Sequence, residues 1–509
     1  MHDRMATVEA RLSGTRDYIG EEANAFRRMR ASIAATFSRY AYLPIEAPIL
    51  ERSSPFLDRS GEDIRRHMYI FNDPGGREVC LRPELTISAC RVYVRHLQAP
   101  ERATRLCYFG PAFRYDSPGE GRYRQFFQFG AEIIGGKRKE VADAEVLALA
   151  LDALEGTGIQ EPSVIVGDLG ILNAFIEGLS IEDRLKMRLR RIAVRKELED
   201  NFSAVGDRDV TTVDELAAVL NSVGSEKAGF LIREVLGLAD VRHIGRRTSE
   251  EIVERLISRT TEATTKAIPN EILKGIAALL DIRGDPETAF AAVQELFSDF
   301  GLSSIEEVRE SWAKKMNLFK AYRETATVPV FDVGLRRAPA YYTGFVFEIR
   351  ITQLPRIGHL CAGGRYDNLL QALGASSAIP AVGFAIGMDR LVAALDKSKL
   401  KEWDAHDSPT ALVVPAGAVR QEDCVSVSNA LRKGGWSIET EISDRKLKQL
   451  FGYADKRKIR YVVVVGEDEI KEEQIKVKRL KDGHEDTVPL MKIEQYARAE
   501  LAYNNREKL

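Results

Sequence analysis

Residues 113–135 read FRYDSPGEGRYRQFFQFGAEIIG. The stretch opens on an arginine and a carboxylate, Arg114 and Asp116, and passes through a charged, glycine-bearing loop that holds Arg122. It ends in an apolar run, Phe129, Ala131, Ile133 and Ile134, that carries one carboxylate, Glu132. The run reads as a strand, and a carboxylate turned inward from it costs several kcal/mol unless something partners it. A structural ion pair is the ordinary partner; a ligand is the other. Each arginine taken singly reads as a surface cation.

Working outward, MYIFNDPGGREVCLRPE (68–84) predicts a hairpin turning at Asn72 to Gly76. Glu22 to Tyr40 have helical apolar spacing, and Leu43 to Leu50 read as an extended segment interrupted by Pro44 and Pro48. From about 181 to about 323, Leu, Ala, Glu, Arg and Lys recur at helical spacing, with a helix start at Thr212, which predicts a helical insertion. Strand character returns at VPVFDVGL and YYTGFVFEIRI, followed by CAGGRYDN, read as a glycine-rich turn, and by IPAVGFAIGMDRLVAAL, a strand running into a helix. Beyond a polar linker, ALVVPAG, a helix over Gln421 to Lys433, WSIETEI, a basic helix and YVVVVG alternate as a small α/β domain with a mostly parallel sheet.

With 509 residues the chain is long enough for about three domains. A net charge of -2 argues against wholesale nucleic-acid coating but leaves room for a local basic face. The five cysteines form no CxxC pair, so no zinc site is expected and a reducing compartment fits. The N-terminal twenty residues lack a signal-peptide core, and no run reaches the roughly 18 apolar residues of a membrane span. The expectation is a cytoplasmic enzyme that has neither a membrane nor DNA as partner.

In order, FRYD with its glycine loop, GRYRQFFQFGAEIIG, and GFAIGMDR entering a helix resemble motifs of the class II aminoacyl-tRNA synthetases. GTRD (Gly14 to Asp17), LRPELT (Leu81 to Thr86), RAPAYYTGFVFE (Arg337 to Glu348), AGGRYD (Ala362 to Asp367) and PAVGFAIGMDR (Pro380 to Arg390) narrow the resemblance to the histidyl-tRNA synthetases. It implies an α+β catalytic domain on an antiparallel sheet in two parts, 1–180 and 324–396, with a helical insertion at 181–323. A linker at 397–409 and a C-terminal α/β anticodon-binding-like domain at 410–509 complete it. Histidine, ATP with Mg²⁺, and histidine tRNA are the implied partners of a homodimer.

Activation displaces pyrophosphate from ATP by a carboxylate, so cations must offset converging negative charge. By resemblance Arg114, Arg122 and Arg390 hold the phosphates, Asp116 reads the adenine, and Phe126 lies at the nucleotide. Arg337 acts on the reacting carboxylate, with Arg114 and Gln128 completing the catalytic set. Glu84, Thr86 and Gln128 surround the ammonium group, Glu132 with Tyr342 clamps the imidazole with Tyr341 beside it, and Leu85, Arg114 and Arg337 complete the histidine-binding set. The sequence departs from the family at Leu85, Phe127, Pro339, Ala340 and Asp116, where glycine, histidine, a less stiff residue, aspartate and glutamate are usual, and its SPGEG loop lacks a glutamine. Between Asp444 and Arg460 seven Lys or Arg face two Asp, with Phe451 and Tyr453 interleaved. Arg445, Lys446, Lys448, Tyr453, Lys456 and Arg457 are the implied RNA contacts. SPFLDRSGEDIRR, LRPELTISAC, VIVGDLGILNAF and LLDIRGDPETAF also resemble the noncatalytic relative of the family, the histidine-sensing regulatory subunit of ATP phosphoribosyltransferase. A third possibility is an adenylate-forming paralogue with another acyl acceptor.

Overall fold

The structure, a computed structural model, describes residues 11–57, 65, 67–98, 101–117, 119–194, 268–303, 305–323, 328–335, 341–396, 409–443 and 445–506, with isolated positions at 230, 243, 244, 247, 248 and 398. Contacts divide the chain into one unit of residues 1–17 and 29–394 and another of residues 18–28 and 395–509. The first holds β1 (Leu43–Ile45), β2 (Leu50–Arg52), β3 (Tyr69–Asn72), β4 (Glu78–Leu81), β5 (Thr104–Phe113), β6 (Gln125–Ile134), β7 (Ser163–Asp168), the short β8 (His243–Ile244) and β9 (Arg247–Thr248), β10 (Arg283–Gly284), β11 (Val330–Asp332), β12 (Phe345–Arg350), β13 (His359–Arg365) and β14 (Ala381–Gly387).

Nine of these form one sheet in the order β1-β5-β6-β14-β13-β12-β7-β11-β10. From β5 to β7 every neighbouring pair is antiparallel. Parallel pairs, β1 on β5 and β7 on β11, join the outer strands to this centre. The expected hairpin is β3 and β4, paired from Tyr69 opposite Leu81 to Asn72 opposite Glu78. It joins β2 in a separate small sheet.

One face of the large sheet is covered by the helix Lys139–Glu155, whose residues from Asp143 to Leu151 are all buried, and by part of the helix Gly20–Arg39. From the latter, Met29, Ile33 and Phe37 recur at helical spacing and are fully buried. The Phe37 ring meets Phe129 edge-on at 5.1 Å and Phe384 at 5.8 Å. The other face carries the helix Thr86–His96, whose Ile87, Cys90 and Tyr93 pack with Phe56, Met68, Leu106, Tyr341 and Tyr366.

Of the expected helical stretch 181–323, the structure describes the helices Asp183–Val194, Asn270–Asp281, Pro286–Asp299 and Glu306–Tyr322; Thr212 lies outside the described residues. The last of these packs along Lys139–Glu155. Lys315 reaches Asp143 and Asp168, and Arg323 binds Asp152 and Glu155.

One expectation is corrected. The glycines of CAGGRYDN make no turn, because Cys361 to Arg365 belong to the central strand β13; the turn falls at Asp367 and Asn368. A Cβ on Gly363 would stand 2.4 Å from the Gly383 carbonyl oxygen, and one on Gly364 2.7 Å from that of Phe345. The two glycines let three strands approach closely, a use of glycine that composition does not separate from a turn.

The second unit has β15 (Ala411–Ala416), β16 (Ile438–Thr440), β17 (Tyr461–Gly466), β18 (Gln474–Arg479) and β19 (Glu485–Pro489) in the order β16-β15-β17-β18-β19. The parallel pairs β15–β16 and β15–β17 follow the expected alternation. An antiparallel hairpin, β18 and β19, extends them. Its charged sequence, QIKVKR and EDTVP, hides it from a search for apolar runs.

Candidate active site

Successive side chains of β6 project to opposite faces of the sheet. Phe127 and Phe129 pack with Phe109, and Ala131 and Ile133 are buried. Phe126, Gln128 and Glu132 line a cavity of about 140 Å³ on the opposite face. The neighbouring β14 sets Gly383 opposite Glu132 and Gly387 opposite Gln128, so the functional side chains of β6 project over small ones. A Cβ on Gly383 would fall 1.5 Å from Glu132 Oε2.

At the inner end, Glu132 has no exposed surface. Tyr108 donates to its Oε1 at 2.8 Å, Tyr366 donates to its Oε2, and Thr86 Oγ1 lies 3.1 Å from the Tyr108 hydroxyl. Burial pushes the Glu132 carboxyl up to about 7 against the opposing pull of those hydroxyls. Glu84, also buried, accepts from the Tyr341 hydroxyl at 3.2 and 3.3 Å and stands 3.8 Å from Arg114. Burial raises it, and Arg114 acts in the opposite direction. Gln128 Oε1 is buried without a hydrogen-bond partner, an acceptor held ready for a donor. Tyr342 lines the same end, its ring 5.1 Å from that of Tyr341.

The outer end is cationic. Arg114 Nε donates to the Pro83 carbonyl at 2.9 Å, and its guanidinium lies 5.5 Å from the Phe126 ring centre. Arg122 enters from the loop between β5 and β6, where the Gly119–Arg122 backbone bridge closes a tight turn. Arg390 comes from the helix Met388–Ala394. Its neighbour Asp389 accepts the Phe127 backbone N–H at 2.7 Å, which ties that helix to β6. Burial, then repulsion by Arg122 and Arg114, brings the Arg390 guanidinium down to about 10. Asp116 Oδ1 is 2.7 Å from His67 Nδ1.

The cavity therefore brings together Glu84, Thr86, Arg114, Asp116, Arg122, Phe126, Gln128, Glu132, Tyr341, Tyr342 and Arg390. Leu85 is not among its lining residues; its side chain packs with Ala89, Tyr108 and Ala112. Arg337, Pro339 and Ala340 lie outside the described residues. Tyr108, Tyr366, His359 and His67 were not singled out from sequence. Tyr366 stands in the quoted AGGRYD, so a donor to Glu132 was within reach of that reading; the others carry no local signal.

In the second unit, Lys446 precedes and Lys448 and Lys456 belong to the helix Leu447–Lys456. Arg445, Lys446, Lys448, Lys456 and Arg457 are exposed. Arg445 pairs with Glu441 at 2.9 Å and covers the half-buried Tyr453 ring at 4.4 Å, while the Tyr453 hydroxyl donates to Glu439.

An antiparallel sheet beside which a strand end, a loop and a helix gather Arg114, Arg122 and Arg390 next to a buried acidic pocket is the layout of a class II aminoacyl-tRNA synthetase. The chain matches the family model described as Histidyl-tRNA synthetase over residues 14–391, and that described as Anticodon binding domain over residues 410–500. It is 30% identical to histidine--tRNA ligase of Pyrococcus abyssi over 483 residues, 94% of this chain and 96% of that one. With the enzyme of the same name from Methanocaldococcus jannaschii it shares 30% over 474 residues, 93% and 95%. The chain belongs to the histidyl-tRNA synthetase family. Its fold is similar to histidyl-tRNA synthetase from Nostoc sp. PCC 7120, with a TM-score of 0.65 at 19% identity, covering 97% of this chain and all of that one. It is also similar to an ATP phosphoribosyltransferase regulatory subunit/histidyl-tRNA synthetase from Bacillus halodurans, with a TM-score of 0.62 at 20% identity, covering 89% and 97%.

Proposed function

We propose that this enzyme, a histidine–tRNA ligase by family, activates histidine in the cavity built on β6 and β14. A carboxylate oxygen of histidine attacks the α-phosphorus of ATP, the bond to the bridging oxygen breaks, and pyrophosphate leaves with that electron pair. The terminal ribose hydroxyl of histidine tRNA then attacks the acyl carbon, and AMP departs. The observation that carries this reading is the polarity of the cavity, with buried Glu84 and Glu132 at one end, Arg122 and Arg390 at the other, and Arg114 between them.

Glu84, Thr86 and the unpartnered Gln128 Oε1 suit the ammonium group, and Glu132 with Tyr341 and Tyr342 the imidazole. Arg114 sits between the two ends, near enough to Glu84 to reach both the carboxylate and the α-phosphate. Arg122 and Arg390 suit the outer phosphates, Phe126 the adenine face and Asp116 its amino group. Arg337 retains the role on the reacting carboxylate that the resemblance implies. Magnesium would travel with the nucleotide, bound through its phosphates.

The exposed basic residues Arg445, Lys446, Lys448, Lys456 and Arg457, with Tyr453, are proposed to meet histidine tRNA. The anticodon-binding match at 410–500 favours charging over the histidine-sensing alternative. The division into 1–180, 181–323, 324–396, 397–409 and 410–509 is proposed as the functional one, with the last part of the insertion range, β10 and the helix Glu306–Tyr322, joining the catalytic sheet and the helix Lys139–Glu155. A homodimer is carried over from the family resemblance; Leu43, Ile49, Leu50 and Phe71 are exposed apolar side chains that such an assembly would have to accommodate. Among the described residues no helix is long and apolar enough to cross a membrane, and work in the cytosol suits a charging enzyme. ATP–pyrophosphate exchange with each amino acid, then charging of total tRNA, tests the reading: exchange should depend on histidine. Histidine binding at micromolar affinity with no exchange would transfer the chain to the regulatory class.

A further inference from the structure

Arg390 is partly buried among like charges, and the structure shows what holds it there. Its Nη1 donates to the backbone carbonyl of His359 at 2.8 Å and lies 2.9 Å from Nε2 of the same residue. Arginine only donates, so Nε2 is the unprotonated ring nitrogen, and the imidazole is neutral with its proton on Nδ1. Both protons of Nη1 are thereby committed to one residue. The remaining donors, on Nε and Nη2, form the side of the guanidinium that binds an oxyanion in a fork.

We propose that His359 is a positioning residue for ATP, a neutral acceptor that aims Arg390 at the outer phosphates without cancelling its charge; this rests on the assignment of the arginine end to ATP. Three further observations support it. His359 lines the cavity from the first position of β13. Arg122 and Arg390 converge beside the preceding Gly358, whose Cβ position lies 4.0 Å from a terminal nitrogen of each. Most buried arginines are held by carboxylates, which would neutralise the charge that phosphate needs. The carboxylate next to Arg390, that of Asp389, accepts the Phe127 N–H rather than a hydrogen bond from Arg390, and with Asp116 it offsets only part of the push on that guanidinium.

The test compares His359→Ala, His359→Gln and His359→Glu with Arg390→Ala in the full chain, by pyrophosphate exchange at saturating histidine. His359→Ala should raise the KM for ATP about tenfold, the effect of losing one of two hydrogen bonds to a charged group. His359→Gln, whose side-chain oxygen reaches the Nε2 position, should restore it to within about threefold, and His359→Glu should be worse than alanine because it places a negative charge where phosphate binds. The KM for histidine should stay unchanged in all three, which a general loss of structure would not allow. The proposal fails if alanine and glutamine behave alike, if glutamate binds ATP as well as glutamine, or if His359→Ala leaves the KM for ATP untouched while Arg390→Ala raises it. Should Arg390→Ala also leave ATP unaffected, the assignment of the arginine end falls, and this inference with it.

Discussion

Replacing Glu132 with glutamine should make the empty protein more stable at pH 8 while making it a poorer binder of histidine. In the unfolded chain this carboxyl titrates near 4.5, and in the fold burial holds it up to about 7. A folded-state value raised in this way favours folding fully below pH 4.5 and loses that advantage as pH rises to 7. The gap of about 2.5 pH units, at about 1.36 kcal/mol each, caps the penalty of the ionised form at about 3 kcal/mol above pH 7. Glutamine is isosteric, keeps one acceptor for Tyr108 or Tyr366 and carries no charge to desolvate. Urea unfolding should therefore show a gain that grows between pH 5 and pH 8. Calorimetry at pH 8 should show histidine affinity lowered about tenfold to a hundredfold, the cost of removing a charged partner from a ring N–H, with ATP affinity unchanged. A stability difference that does not vary with pH would refute the assignment of buried charge to Glu132. Unchanged histidine affinity would return the residue to a structural role.

Arg390→Ala should mainly raise the KM for ATP, whereas Arg337→Ala should lower the turnover of exchange by about 10² to 10³, since the latter is expected to act where charge develops; steady-state exchange separates the two. Gly383→Ala forces a methyl to within 1.5 Å of Glu132 Oε2, so histidine affinity measured by calorimetry should fall at least about tenfold, at an overpacking cost of about 1–3 kcal/mol in stability. Reversing charge at the exposed Lys448 and Arg457 should spare histidine-dependent exchange but impair charging. The salt dependence of tRNA binding should flatten with it, by a slope of about 0.7 to 0.9 for each phosphate no longer neutralised.

The strands around the site were legible because their physics is local. The apolar run of β6 with its single carboxylate, the hairpin turn at Asn72 to Gly76, and the run of AVGFAIG into MDR are each a local pattern or breaker that a reader of the sequence can see. Glu132 stood out as a carboxylate that needed a partner. Its partners did not, because Tyr108 comes from β5 and Tyr366 from the end of β13, 24 and 234 residues away from it. No sequence period records which tyrosine faces which acid. The glycines of CAGGR failed for the opposite reason: a turn glycine and a glycine crowded between three strands look alike until the neighbouring carbonyls are placed. Leu85 sits at the edge of the site by sequence but is consumed by a packing cluster, as an apolar residue next to a buried helix start tends to be.

What separates the site from the scaffold is the chemistry of the partners given to each charge. In the scaffold, cations meet carboxylates: Arg365 binds Asp143 and Asp367, Lys315 reaches Asp143 and Asp168, and Arg105 forks onto Glu145. Such pairs close the charge and leave little field outside them. In the cavity the partners are mostly neutral. Arg390 has an imidazole and a carbonyl, Arg114 a carbonyl and an aromatic ring, Glu132 two tyrosine hydroxyls, and Glu84 a tyrosine hydroxyl with Arg114 at 3.8 Å. Neutral partners satisfy hydrogen-bonding geometry and restrain the side chain, yet they leave the charge to act on whatever enters. That is the arrangement electrostatic catalysis requires, with dipoles fixed in advance and charge uncompensated until substrate arrives. Its cost appears as the upward push on Glu84 and Glu132 and the downward push on Arg390, opposite displacements from one cause, burial, offset only in part by Arg114 at Glu84 and by Asp116 and Asp389 at Arg390. Histidine, with a cation at one end and a carboxylate at the other, and ATP, with its phosphates, together supply the charges that this cavity withholds from itself.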